Sequence, residues 1–317
     1  MSYLKTSSTR PLELTTAGCI SGASDVVSRR RAPAVVKNLL QLTKPSIMLL
    51  VLITGAGALV LEGSMMSKPF QFLVFMIGLY LTGGAANALN QYFEREIDGK
   101  MKRTRHRRPL PTGKISAREA LFFTLAIGAG GVLILGLFLN WLTAALSLAT
   151  ILFYSLFYTL WLKPHTAQNI VIGGIAGAMA PVGAWTAATG SLAVYPWILF
   201  LIIFLWTPPH FWALALCFKD DYRAAGLPML PLKAGDRETV RQILIYSLFL
   251  AAASFLPFFY GVGPLYLGTA AVVNFIFIYR GLQAWRTLHH KEYWTVFKFS
   301  LIHLFALFVA LIADKYI

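Results

Sequence analysis

Apolar residues fall in nine long runs, at about 45–62, 70–91, 119–139, 142–162, 168–188, 194–216, 242–260, 264–284 and 295–313, with short polar stretches between them. Runs of about 20 apolar residues are long enough, as helix, to cross a hydrocarbon layer of about 30 Å. The pattern therefore predicts an all-α polytopic membrane protein with nine transmembrane helices occupying residues 41–317. Residues 1–40 break the pattern: they are polar, rich in Ser, Thr and Arg, and contain no apolar core of the kind a cleavable secretory signal needs. They are expected to form a disordered cytosolic tail. A mitochondrial transit peptide is the alternative, favoured by Arg29, Arg30 and Arg31 and opposed by Glu13 and Asp25.

Composition removes the soluble alternative, since 57% of residues are hydrophobic and 13% charged, against roughly 25% charged in a soluble domain. The two cysteines, Cys19 and Cys217, lie far apart and imply no disulfide framework. A net charge of +15 raises the question of nucleic acid, but the charge is distributed by topology. Nine spans put the chain ends on opposite sides, and the amino-terminal side carries 26 of the 28 Lys and Arg residues, leaving only Lys68 and Lys315 opposite. Positive residues mark the cytosolic face, so the amino terminus is expected inside and the carboxyl terminus outside. The basic segments lack interleaved aromatics, and no nucleic-acid partner is expected. The partner they suit is the lipid bilayer with its anionic headgroups.

Topology does not account for acid concentrated beside base, which occurs at two helix ends. The second run ends in Asn90, Glu94 and Asp98, spaced by four. Each step of four turns a helix by about 400°, so the three share one face within about 80°. Glu96 falls about 200° around from either acid and is expected to face solvent. An amide and two carboxylates at a membrane boundary suit Mg²⁺, which takes oxygen ligands and shares the phosphates of a substrate. The basic stretch Lys100, Lys102, Arg103, Arg105, His106, Arg107 and Arg108 follows; arginine forks bind phosphate oxygens in pairs. A positive-inside loop with a capping acid pair would also explain this stretch. Against that, acids inside an apolar helix end are costly unless partnered. The sixth run opens on the same side through Lys219, Asp220, Asp221, Tyr222 and Arg223. Two acidic clusters on one side can hold a diphosphate between metal ions.

These stretches resemble a known family. Asn90 to Asp98 with its RTRHRRPLPTGKIS continuation, TPPHFWALA, and DYRAAGLPMLP look like the intramembrane prenyltransferases of the UbiA type, and within them most like the branch that farnesylates heme. The similarity covers residues 40–315 and includes the nine spans. It implies a helical bundle around a central cavity, Mg²⁺ as cofactor, and farnesyl diphosphate and heme B as substrates. The allylic C–O bond breaks, a heme vinyl group takes the farnesyl, and water completes the hydroxyethylfarnesyl chain of heme O, used by terminal oxidases directly or after a heme A synthase acts. By the same resemblance Asn90, Glu94, Asp98, Asp220 and Asp221 are the metal set, with Asn90, Glu94, Asp98 and Asp221 catalytic. Arg103 and Arg105 are the preferred diphosphate ligands, helped by Lys219 and Arg223. The sequence departs from the family pattern at three points: Glu94 stands where Asp is commoner, the basic loop is one residue longer, and Ala225 occupies the position four beyond Asp221.

Other acceptors remain open, namely a quinone precursor or a chlorophyll-type ring, as does a non-catalytic heme transporter or assembly factor. His210, after Pro208 and Pro209, is the heme-binding candidate; the prolines are expected to break or bend the sixth helix. His303 reads as a packing residue, and Tyr154 and Tyr158 as packing or cation-stabilising groups. Gly128, Gly130 and Gly131, and Gly173, Gly174 and Gly177, are expected to allow close helix contact. A bacterial plasma (inner) membrane is the expected location, because the tail is short, and a mitochondrial inner membrane is the alternative.

Overall fold

The structure, a computed structural model, describes residues 32–317; residues 1–31 of the expected tail lie outside the described residues. The rest of that stretch is ordered helix, α1 (Ala32–Leu42). It is held because Leu39 and Leu42 pack against Ala88, Ile115 and Ala120. Nine further helices among the described residues are long and apolar enough to cross a membrane: α2 (Pro45–Glu62), α3 (Pro69–Phe93), α4 (Ala117–Phe138), α5 (Trp141–His165), α6 (Asn169–Thr189), α7 (Tyr195–Cys217), α8 (Gly235–Tyr260), α9 (Pro264–Thr287) and α10 (His290–Asp314). The protein is an all-α polytopic membrane protein, as the apolar runs predict. The structure differs at the start of α8, which begins at Gly235 rather than near 242. Its first turns are polar and invisible to an apolar count, but Glu238 bonds Gln242 one turn on (2.8 Å) and pairs with Arg241 (3.0 Å), which supports an exposed helix end.

The helix at the hub is α7, which packs against α6, α8 and α10. Its apolar window is 61% buried, against 28% for α4 and for α5 at the periphery. Pro208 and Pro209 do not interrupt it, although they lack the N–H groups that would bond the carbonyls of Phe204 and Leu205. At the opposite end Asp314, the last residue of α10, accepts the backbone N–H of Gly263 and of Tyr266 (3.1 Å) and so caps α9. In α5 the winding widens to π-helical over Phe153–Leu162, so Thr159 donates its hydroxyl to the carbonyl of Tyr154 five residues back (2.7 Å).

The glycine runs divide by face. A Cβ on Gly131 would lie 2.9 Å from Leu81 Cβ and 3.1 Å from the backbone nitrogen of Thr82, whereas one on Gly130 would meet nothing within 4 Å. Gly173 admits the ring of Tyr158 and Gly174 meets Thr207, while Gly177 is open. Replacing Gly131 by Val therefore has to part α3 from α4, at about 1–3 kcal/mol for overpacking. Thermal unfolding in detergent should show a lower midpoint for Gly131→Val and none for Gly130→Ala; equal midpoints would mean the close approach is not needed.

Candidate functional site

Asn90 sits in the last turn of α3, Glu94 at the joint after it, and Asp98 on the short helix Arg95–Lys100. The joint does not turn the stripe aside: Glu94 N–H bonds the carbonyl of Asn90 (3.0 Å), and Asp98 N–H that of Glu94 (2.8 Å). The helical spacing is thus kept and all three side chains point inward, Asn90 3%, Glu94 2% and Asp98 0% exposed. Glu96 faces outward, as its angle requires.

Two buried carboxylates need compensation, and three cations from separate parts of the chain provide it. Lys163, at the end of α5, donates to Glu94 Oε1 (2.5 Å), and Arg108 pairs with Asp98 while lying 3.9 Å from Glu94 Oε2. Lys44 donates to Asn90 Oδ1 (3.3 Å), and Asn90 Nδ2 in turn donates to Glu94 Oε1 (2.8 Å) and to Thr159 Oγ1 (3.2 Å). Burial would raise Glu94, but Lys163 and Arg108 outweigh it and hold the carboxyl below its usual range. Asp98 is raised by burial despite Arg108. Burial, with Arg108 beside it, pushes the Lys44 ammonium down to about 7.

Lys44 is held there by its backbone. It adopts φ 53°, ψ 66°, a left-handed conformation uncommon outside glycine, between α1 and the start of α2. From α3, Gln91 donates to the carbonyl of Leu42 (2.8 Å) and Asn87 to that of Thr43 (3.4 Å). The conformation persists because its surroundings over-determine it, as is usual for strain at functional sites.

The second acidic motif is arranged differently. Asp221 is buried, and its two oxygens accept the backbone N–H groups of Lys102 (3.1 Å) and Arg103 (2.9 Å), which fastens the basic loop to the end of α7. Asp220 turns outward to Arg223 (2.5 Å), and Lys219 pairs with Asp236 (2.5 Å). Arg103 lies over the rings of Phe218 (4.9 Å) and Tyr222 (5.8 Å), and Arg105 bonds the adjacent His106 (2.8 Å). The five expected metal ligands therefore do not converge, and no group of three or more His, Cys, Asp or Glu among the described residues could hold a metal. Asn90, Glu94 and Asp98 do converge. They fit a hard cation in their oxygen donors and in Asp98 Oδ1, which is buried without a hydrogen-bond partner.

Sequence reasoning overlooked Lys44 and Lys163, counting both as topology charge, and it preferred Arg103 and Arg105 to Arg108. The available signal was isolation: each lysine is a single cation at the very end of an apolar run. His210 is buried in α7, with Nδ1 2.7 Å from Ser300 Oγ and its ring stacked on Trp206. His303 bonds Asn274 (2.9 Å), in keeping with packing.

The UbiA prenyltransferase family profile matches residues 50–308. The chain is 45% identical over 298 residues to a Rhodopseudomonas palustris (strain HaA2) protein named protoheme IX farnesyltransferase, covering 92% of this chain and 94% of that one. Among solved structures, one described as concerning digeranylgeranylglyceryl phosphate synthase superposes with a TM-score of 0.73 at 21% identity, over 89% of this chain and 98% of that one. A UbiA homolog from Archaeoglobus fulgidus bound to GPP and Mg²⁺ gives 0.58 at 13% identity, over 87% of this chain and 99% of that one.

Removing one partner of a buried ion pair costs about 3–5 kcal/mol, because the other charge is left uncompensated. Lys163→Met should lower stability by an amount in that range, and adding Glu94→Gln should restore part of it. Denaturation of both single variants and the double variant measures the coupling; strict additivity would show that the pair does not act as one.

Proposed function

Since the chain belongs to the UbiA prenyltransferase family, we propose that it transfers the farnesyl group of farnesyl diphosphate to a vinyl group of heme B. With one water the products are heme O, carrying a hydroxyethylfarnesyl chain, and diphosphate. The observation that carries this reading is the stripe Asn90, Glu94 and Asp98 set within the three cations Lys44, Lys163 and Arg108. It is a site for a polyanion, with cations in excess of carboxylates. The name of the 45% identical relative supports heme as the acceptor.

Asn90, Glu94 and Asp98 would hold Mg²⁺, the cation bound in the Archaeoglobus fulgidus homolog, and Asp98 Oδ1 has an acceptor position to offer. When bound, the ion supplies electrophilic stabilisation of the charge gathering on the departing diphosphate. The protein's own part is fixed before reaction. Lys44, Lys163 and Arg108 present positive charge in a buried setting, where fixed dipoles and charges act far more strongly than in water. As the allylic C–O bond lengthens, they take up the negative charge on the bridging oxygen. Tyr154 and Tyr158, stacked with centroids 5.1 Å apart, offer π faces to the positive carbon fragment. Asp221 holds Lys102 and Arg103, and through them the loop that delivers Arg108. His210 is proposed to meet the heme.

The distribution of Lys and Arg supports a site on the cytosolic face of a bacterial plasma membrane, with the amino terminus inside. Heme O then passes to terminal oxidase assembly, directly or through a heme A synthase.

Membranes containing the protein, incubated with heme B, farnesyl diphosphate and Mg²⁺, should yield on mass analysis a heme gaining the hydroxyethylfarnesyl group, and none when EDTA is present. Asp98→Asn should reduce this to near background while heme binding persists. Unchanged heme B with folded wild type would move the acceptor to a quinone precursor, and full product from Asp98→Asn would remove that residue from the site.

A further inference from the structure

Away from the diphosphate stripe, α7 and α10 are joined by a polar contact inside an otherwise apolar interface. Ser300 is fully buried and makes three contacts: Trp206 Nε1 donates to its carbonyl (2.7 Å), its hydroxyl donates to the carbonyl of Phe297 (2.6 Å), and its Oγ lies 2.7 Å from His210 Nδ1. A hydroxyl has one proton. A carbonyl oxygen can only accept, so at 2.6 Å the Ser300 proton has to lie toward Phe297. Ser300 Oγ therefore accepts from His210, and the proton of that bond belongs to Nδ1.

From this arrangement we infer that Ser300 is a positioning residue that fixes His210 as its Nδ1–H tautomer, leaving the lone pair of Nε2 free to ligate the iron of the heme substrate. The second nitrogen sets which nitrogen is available, as it does for histidines that bind metals. Orientation is fixed along with the tautomer. The imidazole stacks on Trp206 (4.4 Å between centroids, 17° between planes) and lies against Phe297 (4.8 Å, 30°), with Phe211 edge-on (5.3 Å). The ring is held on several sides, and among the described residues no side chain or backbone group bonds Nε2. His210 keeps 9% of its surface exposed, whereas His303, the other buried histidine, keeps none and has its Nε2 bonded to Asn274. The Nδ1 of His303 is unbonded as well but fully buried, so of the two intramembrane histidines His210 is the one whose unbonded nitrogen belongs to a ring with exposed surface.

The inference rests on the heme reading for its consequence but not for the tautomer, and the two are tested separately. In the full-length protein without heme, ¹⁵N spectra of histidine-labelled wild type, compared with His210→Ala, should assign to His210 a protonated Nδ1 and an unprotonated Nε2. A protonated Nε2 would overturn the inference regardless of substrate. Titration with ferric heme B then reads ligation by absorption. Wild type should give a nitrogen-ligated spectrum that His210→Ala loses. Ser300→Ala should weaken heme binding about 10-fold, in the range for loss of a group that orients a metal ligand, and Ser300→Thr, which keeps the hydroxyl, should recover most of it. Retained farnesyl diphosphate binding reports that each variant is folded. Wild-type affinity in Ser300→Ala, with ligation lost in His210→Ala, would overturn the role of Ser300 and leave the heme reading standing. An unchanged spectrum in His210→Ala would overturn the ligand assignment itself.

Discussion

Two carboxylates buried at the end of an apolar helix bundle are the constraint around which the active end of this protein is organised. In a medium of low polarity an isolated carboxylate costs several kcal/mol even after relaxation, so Glu94 and Asp98 are tolerable only with cations alongside. Those cations come from three distant stretches: Lys44 before α2, Arg108 in the loop after α3, and Lys163 at the end of α5. Neutralising the stripe therefore ties together parts of the chain that apolar packing alone would leave free to slide. With Lys44 protonated it also leaves one more positive than negative group at the site, which suits it to an arriving polyanion.

Several features that look unrelated serve that constraint. Asn87 and Gln91 hold the backbone of residues 42 and 43, and this allows Lys44 its left-handed conformation. Asp221 grips two backbone amides of the basic loop, with Arg103 laid on Phe218 and Tyr222 to fix the same loop from its other side. Thr159, set by the wide winding of α5, bonds Asn90 and directs its amide between Lys44 and Glu94. Asp220 and Arg223, both exposed, satisfy each other instead.

This division explains what was legible in the sequence. The nine spanning helices among the described residues were, because a run of apolar residues long enough to span a bilayer is a local property. The inward stripe was too, because Asn90, Glu94 and Asp98 share a helical face by arithmetic alone. The partners were not. Lys44 and Lys163 are identical in sequence terms to any positive residue flanking a span, and only the packing of α2 and α5 against α3 brings them to the acids. Asp221 and Arg103 show the converse: their charge and motif point to metal and phosphate, but the structure supplies backbone amides and aromatic rings as their immediate partners. Charge type is visible locally, whereas what a charge meets depends on distant helices.

The same argument bears on how the two halves of the site differ. The end proposed for diphosphate is electrostatic and draws on loops and helix ends, where Lys44, Lys163 and Arg108 are already held by the buried acids and amide they neutralise. The His210 region lies within the span, on the hub helix α7, and is built from stacked rings and short hydrogen bonds to α10. Groups held this way cannot follow a substrate, so they suit a large planar partner that must be placed rather than chased. On the proposed reading, stacked contacts on the most buried helix and paired charges at the membrane boundary would let one bundle place a stiff ring system while releasing a highly charged leaving group into water.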